Sequence, residues 1–124
     1  MYRHPEKPIL IVDDEESWLL SLEMLLARRS KINNVVSCSD SWRVMGLLKE
    51  REFSLVLLDY AMPGCSGEEL LTHIVQVYPQ LPVVMMTGFD QAETAARCME
   101  IGAKNYLVKT LDEKQMIAAI EGVF

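Results

Sequence analysis

The sequence predicts an α/β fold in which helices cover both faces of a parallel five-stranded sheet. Residues 55–58 are four consecutive branched apolar residues, which cannot alternate between core and solvent and therefore indicate a central strand that is buried on both faces. Four further apolar runs resemble it, and each of the five is followed by a segment with helical periodicity. Strict alternation of strands and helices is typical of parallel, three-layer α/β domains.

Length and composition fit one domain, which we expect to span residues 1–124. Half of the residues are hydrophobic and 24% are charged, and no apolar run approaches the roughly 18 residues of a membrane span. The N-terminus also lacks the apolar stretch of a secretory signal, so we expect a cytoplasmic protein without a membrane partner. The net charge of -6 argues against direct nucleic-acid binding, because contacts to phosphates need a basic face.

The expected strands lie near residues 8–12, 34–38, 54–58, 82–86 and 105–108. The first strand is followed, from Glu16, by apolar residues at the spacing of one helix face. We expect this first helix to end near Arg28 and Arg29. Its core-facing residues are predicted to be Trp18, Leu19, Leu22, Leu25 and Leu26.

The second helix is expected after Ser39, Asp40 and Ser41, which are competing N-cap candidates, and should end near Arg51. Trp42 lies at its start. A core face formed by residues 44, 47 and 48 would leave this indole in solvent, where it could dock a partner, whereas a small rotation of the helix would bury its edge. We expect Trp42 to pack at the core or its rim.

The last three helices follow the third, fourth and fifth strands. Ser66 and Glu69 have the spacing of a capping box, and Asp112 with Gln115 opens the final helix. The third helix should bury Leu70, Leu71, Ile74 and Val77. For the fourth helix, which should end at the C-cap Gly102, we expect a shallow contact made by small residues. Its predicted core-facing residues are Ala92, Ala95, Ala96 and Met99.

Polar residues follow four of the predicted strands at the point where each strand ends. Right-handed crossovers place all carboxyl ends of a parallel sheet at one edge, so we expect these side chains to converge. Three carboxylates within a few ångströms would raise one another's pKa unless a hard divalent cation offsets their charge. Mg²⁺ suits such a site because it prefers oxygen ligands and keeps positions open for water and phosphoryl oxygens. The converging residues are Asp13, Asp14, Asp59, Thr87 and Lys109.

A carboxylate beside Mg²⁺ can attack phosphorus and form an acyl phosphate. Asp59 is the candidate nucleophile because it stands alone at its strand end, whereas Asp13 and Asp14 form a pair that can hold the metal directly or through water. Lys109 would neutralise a second phosphoryl oxygen and Thr87 would donate a hydroxyl to a third. Each residue also has a structural explanation, as an N-cap, a turn residue or a solvated charge. Their convergence from four strands is far more specific than any one of them.

Several motifs together carry a family resemblance. They are Asp13-Asp14, Asp59 followed by Met62-Pro63 and Gly67, Thr87-Gly88, Tyr106 and Lys109. With them the chain resembles, over essentially its whole length, the receiver domain of bacterial two-component response regulators. The resemblance implies a flavodoxin-like (βα)5 fold with strand order 2-1-3-4-5.

The resemblance also implies a function. Asp59 would accept a phosphoryl group from a sensor histidine kinase or phosphotransfer protein, with Mg²⁺ held by Asp14, Asp59 and the backbone carbonyl of Ala61. Thr87 and Tyr106 would then move together and alter the face formed by the fourth helix, the last strand and the last helix. The chain would be a signalling domain rather than an enzyme. A C-terminal output domain, which could be transcriptional, and a dimer that forms on phosphorylation are compatible with this family.

One position departs from the family pattern. The family usually places proline directly after the lysine, often with a cis peptide bond, and this sequence has Thr110. The cis form costs about 2.5–4 kcal/mol at a non-proline bond, compared with about 0.5–1 kcal/mol before proline. The position of the Lys109 side chain therefore does not follow from the family pattern.

Three other classes of protein share parts of this pattern. A phosphatase with an aspartyl nucleophile would be expected to show a DxD motif after its first strand, whereas here the order is Asp13-Asp14-Glu15. A flavin-binding electron carrier would have to place its cofactor phosphate at this same acidic loop. A docking module that is never phosphorylated stays open as an alternative, although the complete set of acidic residues, threonine and lysine argues against it.

Overall fold

The computed structural model, which describes residues 6–89 and 91–124, contains one sheet of five parallel strands in the order β2-β1-β3-β4-β5. The predicted fold class and strand order are therefore confirmed. Residues 1–5, on which the expected absence of a secretory signal partly depends, lie outside the described residues. The strands are β1 (Ile9–Val12), β2 (Val35–Cys38), β3 (Leu55–Asp59), β4 (Val83–Thr87) and β5 (Asn105–Val108).

Helices cover both faces of the sheet and enclose two core layers. A short 3₁₀ helix, Ser41–Arg43, leads into the second helix. The helices are α1 (Glu16–Ser30), α2 (Val44–Glu50), α3 (Gly67–Val77), α4 (Ala92–Ile101) and α5 (Glu113–Glu121). Alternate residues of β1 point into different layers, with Ile9 and Ile11 packed under α1 and α5 and Leu10 and Val12 packed under α2, α3 and α4. None of the described helices combines the length and the apolar character that a membrane span requires.

Side chains cap several helices as the sequence predicts. The Ser66 hydroxyl accepts a hydrogen bond from the backbone N–H of Glu69 at 3.2 Å, and the Asp112 carboxylate accepts one from Gln115 N–H at 2.8 Å. Among the three candidates before the second helix, Asp40 is the cap, since its carboxylate accepts from the N–H of the second residue of the 3₁₀ helix. These bonds fix where the loops at the carboxyl ends of the strands give way to helices.

The predicted burial of Trp42 is wrong, because its side chain is 73% exposed. The tight 3₁₀ helix that carries it precedes α2, whose buried residues are Val44 and Leu48, and this leaves the indole on the outside. The ring lies against Gly64 in the loop after β3, where an added Cβ would approach the indole nitrogen to 2.5 Å. Val77 is likewise exposed rather than buried, because α3 ends there.

The predicted core face of α4 is also wrong. Thr94 and Cys98 are its buried residues, whereas Met99 is 45% exposed. Of the three alanines assigned to this face, only Ala95 is half-buried, and the other two are exposed. Thr94 can be buried because its hydroxyl donates to the side-chain oxygen of Gln91 at 3.2 Å. The helix therefore rests on a satisfied threonine and a cysteine, and it ends as predicted at Gly102, whose φ is 137°.

Candidate functional site

Three carboxylates meet at the carboxyl edge of the sheet. Val12 of β1 lies opposite Leu58 of β3, so the residues that follow them, Asp13 and Asp59, are neighbours. Asp13 is fully buried and Asp59 is 3% exposed, while Asp14 is exposed to solvent. One oxygen from each of the three carboxylates lies within 4.8 Å of the others. This cluster offers three hard oxygen ligands on one side and access to solvent on the other.

Lys109 brings a positive charge to this cluster from the end of β5. Its Nζ lies 2.5 Å from Asp13 Oδ2, 3.4 Å from Asp59 Oδ1 and 3.6 Å from Glu15 Oε1. Only 14% of the lysine side chain is exposed, so water screens its ion pairs with the buried Asp13 and Asp59 weakly. The Lys109–Thr110 peptide bond is trans, and the ammonium group reaches the carboxylates from this backbone.

The electrostatics of the site follow from burial and from crowding of like charges. Burial, with the charge of Asp13 added, raises the pKa of Asp59 to about 7, although Lys109 acts in the opposite direction. Burial alone would lower the pKa of Lys109, but its hydrogen bond to Asp13 and the charge of Asp59 outweigh that effect and raise it. The lysine therefore stays protonated, and its single positive charge only partly offsets the negative charge of the three carboxylates.

Thr87 lies at the same edge, as the last residue of β4, and is 3% exposed. Its hydroxyl oxygen accepts a hydrogen bond from Phe89 N–H at 3.2 Å. Its backbone carbonyl accepts from Lys109 N–H at 2.7 Å, which joins the ends of β4 and β5. The hydroxyl proton is not used in the Phe89 bond, so Thr87 can still donate to a group above the cluster.

The loop between β3 and α3 closes tightly over the backbone of Asp59. Gly67 donates its N–H to the carbonyl of Tyr60 at 3.0 Å. A Cβ at Gly67 would lie 2.3 Å from the Asp59 carbonyl oxygen, so only glycine allows α3 to begin this close to the strand. Ala61 lies in this loop, two residues after Asp59, and is exposed.

Tyr106 lies in β5, opposite Met85 of β4. It is half-buried and packs against the core layer under α2, α3 and α4. The structure thus places this residue on the same side of the sheet as α4, in a strand that is separated by β4 from the strand of Asp59.

Sequence reasoning missed three side chains that touch this site or its loop. Glu15 pairs with Lys109, and the indole ring of Trp18 lies beside the lysine ammonium, with 5.2 Å between Nζ and the ring centroid. On the other side, Arg97 of α4 contacts Glu68 and the Tyr60 hydroxyl, each at 3.0 Å. Trp18 was predicted only as a core-facing residue of the first helix, and nothing in the sequence indicates the Arg97 contacts.

Known proteins are similar to this chain in sequence and in fold. A sequence model described as the response regulator receiver domain matches residues 9–121. The transcriptional regulatory protein ZraR of Escherichia coli O157:H7 is 35% identical over 118 residues, which are 95% of this chain and 26% of ZraR. The chain therefore spans about a quarter of the length of this curated relative.

Two solved structures superpose closely on the chain. The CheX–CheY–BeF3–Mg2+ complex from Borrelia burgdorferi has a TM-score of 0.87 at 25% identity, covering 95% of this chain and 89% of that one. A response regulator protein from Burkholderia pseudomallei, described with a phosphorylated aspartic acid, a calcium ion and citrate, has a TM-score of 0.80 at 25% identity, covering 92% and 66%. Since the family match covers the whole sheet and all five helices, we conclude that the chain belongs to the response regulator receiver domain family.

Proposed function

We propose that the chain is a phosphoryl acceptor that takes its phosphoryl group from a sensor histidine kinase or phosphotransfer protein onto Asp59. The observation that carries this proposal is the buried Asp59 carboxylate, with two further acids within 4.8 Å and the Lys109 ammonium at 3.4 Å. An oxygen of Asp59 attacks phosphorus, the bond between phosphorus and the donor atom breaks, and an acyl phosphate forms. The chain acts as a signalling domain, and its own chemistry is limited to gaining and losing this group.

Mg²⁺ is the cofactor that the donor set supports. The three carboxylates provide hard oxygen ligands in a cluster whose negative charge Lys109 only partly offsets. In our proposal Asp14, Asp59 and the backbone carbonyl of Ala61 hold the ion, with Asp13 binding directly or through water. When bound, Mg²⁺ would offset the charge of the carboxylates and of the incoming phosphoryl oxygens. The two structural relatives described above contain a divalent cation, which supports the assignment.

Lys109 and Thr87 stabilise the phosphoryl group in this proposal. The ammonium of Lys109 already lies against Asp59, and a phosphoryl oxygen would give it a second anionic partner. The Thr87 hydroxyl, which accepts from Phe89 N–H, has its proton available for another phosphoryl oxygen. Both side chains are largely buried, so these charge-assisted hydrogen bonds would form where water competes weakly.

We propose that the signal leaves through Thr87 and Tyr106. When Thr87 moves toward the phosphoryl group, Tyr106 changes its packing, and the surface formed by α4, β5 and α5 changes with it. In the whole protein this surface would control an output domain beyond Phe124, or would form a dimer. The curated relative is a transcriptional regulatory protein, which supports an output of that kind. We place this single domain in the cytoplasm, and the acidic chain itself would not contact nucleic acid.

The phosphorylation experiment uses the protein with Mg²⁺ and phosphoramidate as a small phosphodonor. We expect one phosphoryl group by intact mass, stable in acid and labile in base. Asp59→Asn should abolish it and chelation of Mg²⁺ should prevent it, while Glu100→Gln, on an exposed face of α4, should have no effect. Undiminished labelling of Asp59→Asn would contradict the proposed acceptor. An unlabelled native protein would favour the docking module instead.

A further inference from the structure

The indole ring of Trp18 lies beside the ammonium group of Lys109. The distance of 5.2 Å from Nζ to the ring centroid is within the roughly 6 Å range of a cation–π contact. Trp18 stands in the first turn of α1, is half-buried and packs against the core layer that α1 shares with α5. The ring is thus anchored in the core, and the mobile partner in this contact is the lysine.

Lys109 therefore has an aromatic ring among its neighbours as well as carboxylates. Its backbone is held at the end of β5 by the N–H bond to Thr87, but four flexible methylene groups separate that backbone from the charge. Asp13, at 2.5 Å, is a nearer partner than Asp59, at 3.4 Å. Because a cation–π contact strengthens when water is excluded, the low exposure of this side chain, 14%, favours it.

The indole nitrogen gives a second observation. It is buried and makes no hydrogen bond to any residue in 6–89 or 91–124. Hydrogen bonding therefore does not explain why the ring stands here, and what the ring provides is its shape and its π face. A phenylalanine at this position would keep a π face without leaving a lost hydrogen bond behind.

We infer that Trp18 is a positioning residue for Lys109, which keeps the lysine ammonium directed at the Asp13 and Asp59 carboxylates. This inference rests on the proposed function, since it names the group that sets where Lys109 meets a phosphoryl oxygen. Trp18 itself does not touch the phosphoryl group. It acts by limiting the conformations of a lysine that is followed by Thr110 rather than by a rigid proline.

The first experiment compares rates of phosphorylation by phosphoramidate with saturating Mg²⁺. We expect Trp18→Leu to be about fivefold to tenfold slower than the native protein, and Trp18→Phe to stay within about twofold of it, because only the latter retains a π face. The matched control is Leu25→Ala, which removes a buried residue of the same helix and core layer. It should lower the melting temperature but leave the rate unchanged.

A second experiment observes the contact directly, without metal or phosphodonor. The ring current of the aromatic side chain at position 18 should shift the side-chain methylene resonances of Lys109 upfield, both in the native protein and in Trp18→Phe. This shift should be lost in Trp18→Leu. A native rate in Trp18→Leu, or equally slow Phe and Leu variants, would overturn the positioning role alone. A native protein that gains no phosphoryl group would overturn the proposed function, and the resonances would still report whether the ring holds the lysine.

Discussion

Lys109 lies closer to Asp13 than to Asp59, with its Nζ 2.5 Å from the first carboxylate and 3.4 Å from the second. The lysine therefore supplies positive charge to the same carboxylates that we propose as Mg²⁺ ligands. Two cations near one cluster repel each other, and at a short distance with limited solvent access that repulsion is worth one or more kcal/mol.

The variant Lys109→Met should accordingly bind Mg²⁺ more tightly, by about fivefold to fiftyfold, because each 1.4 kcal/mol is a factor of ten in affinity. Calorimetric titration measures this directly. The matched control is Lys104→Met, which removes the same charge from an exposed lysine next to the amino end of β5. Equal Mg²⁺ affinity in the native protein and in Lys109→Met would show that the lysine and the ion do not compete.

The pH dependence of stability should report the buried Asp59. Its folded pKa of about 7 lies above the ordinary value of 3.8, so the folded state prefers the protonated carboxyl group. The contribution of Asp59 to the free energy of unfolding is therefore fully present below the unfolded pKa, and it is lost as the pH rises to the folded pKa. Without metal, the free energy of unfolding of the native protein relative to Asp59→Asn should therefore fall between about pH 4 and pH 7, and then level off.

The size of this change should be about 2–4 kcal/mol, since each pKa unit corresponds to 1.36 kcal/mol. Urea unfolding at several pH values, with a chelator present, gives the curve. Glu100→Gln, at an exposed acid of α4, should follow the native protein throughout. A constant difference between the native protein and Asp59→Asn across this range would mean that the Asp59 pKa is not raised.

Two glycines offer a paired test of packing near the site. A Cβ at Gly67 would lie 2.3 Å from the Asp59 carbonyl oxygen, so Gly67→Ala should cost about 1–3 kcal/mol by forcing α3 away from the strand. Gly46, inside α2, has nothing within 4 Å of the added atom, and Gly46→Ala should stabilise by about 0.5–1 kcal/mol. Chemical denaturation measures both. Similar effects of the two substitutions would refute the close approach at Gly67.

The coupling from Asp59 to the outer surface can be followed by amide chemical shifts. Beryllium fluoride with Mg²⁺ should perturb β4, α4 and β5 far more than α1 and α2. Thr87→Ala should keep the response of the loop after Asp59 and lose that of α4, because a charge-assisted hydrogen bond of about 1.5–3 kcal/mol no longer draws residue 87 inward. A full response of α4 in this variant would exclude Thr87 as the link.

Much of this molecule follows from simple patterns in the sequence. The buried strands read as unbroken apolar runs, and a parallel sheet must bring their carboxyl ends to one edge. The approach of Asp13 to Asp59 is a direct result, because adjacent strands lie only about 4.8 Å apart. Caps such as Ser66 were equally predictable, since a hydroxyl three residues before a glutamate satisfies a specific backbone N–H.

The failures have physical reasons as well. The face that α4 buries could not be predicted because alanine has a small apolar side chain, so burying it contributes little free energy. The burial of Thr94 depends on a hydrogen bond from its hydroxyl to Gln91, which the spacing of apolar residues does not indicate. The burial of Trp42 was predicted wrongly because a turn of 3₁₀ helix precedes α2. Its different number of residues per turn changes the direction in which the side chains before α2 point. The contact of Trp18 with Lys109 joins distant parts of the chain through long side chains, which no local spacing encodes.

The order of strands in the sheet has a consequence for how the protein folds during its synthesis. Synthesis delivers β1 and β3, with Asp13 and Asp59, long before the ribosome reaches β5 and Lys109. A nascent chain folding from its N-terminus would first gather the acids without their counter-charge. The lysine can join them only after β5 has paired with β4 at the edge of the sheet. A chain that ends before β5 would therefore hold Asp13 and Asp59 side by side without the Lys109 ammonium beside them.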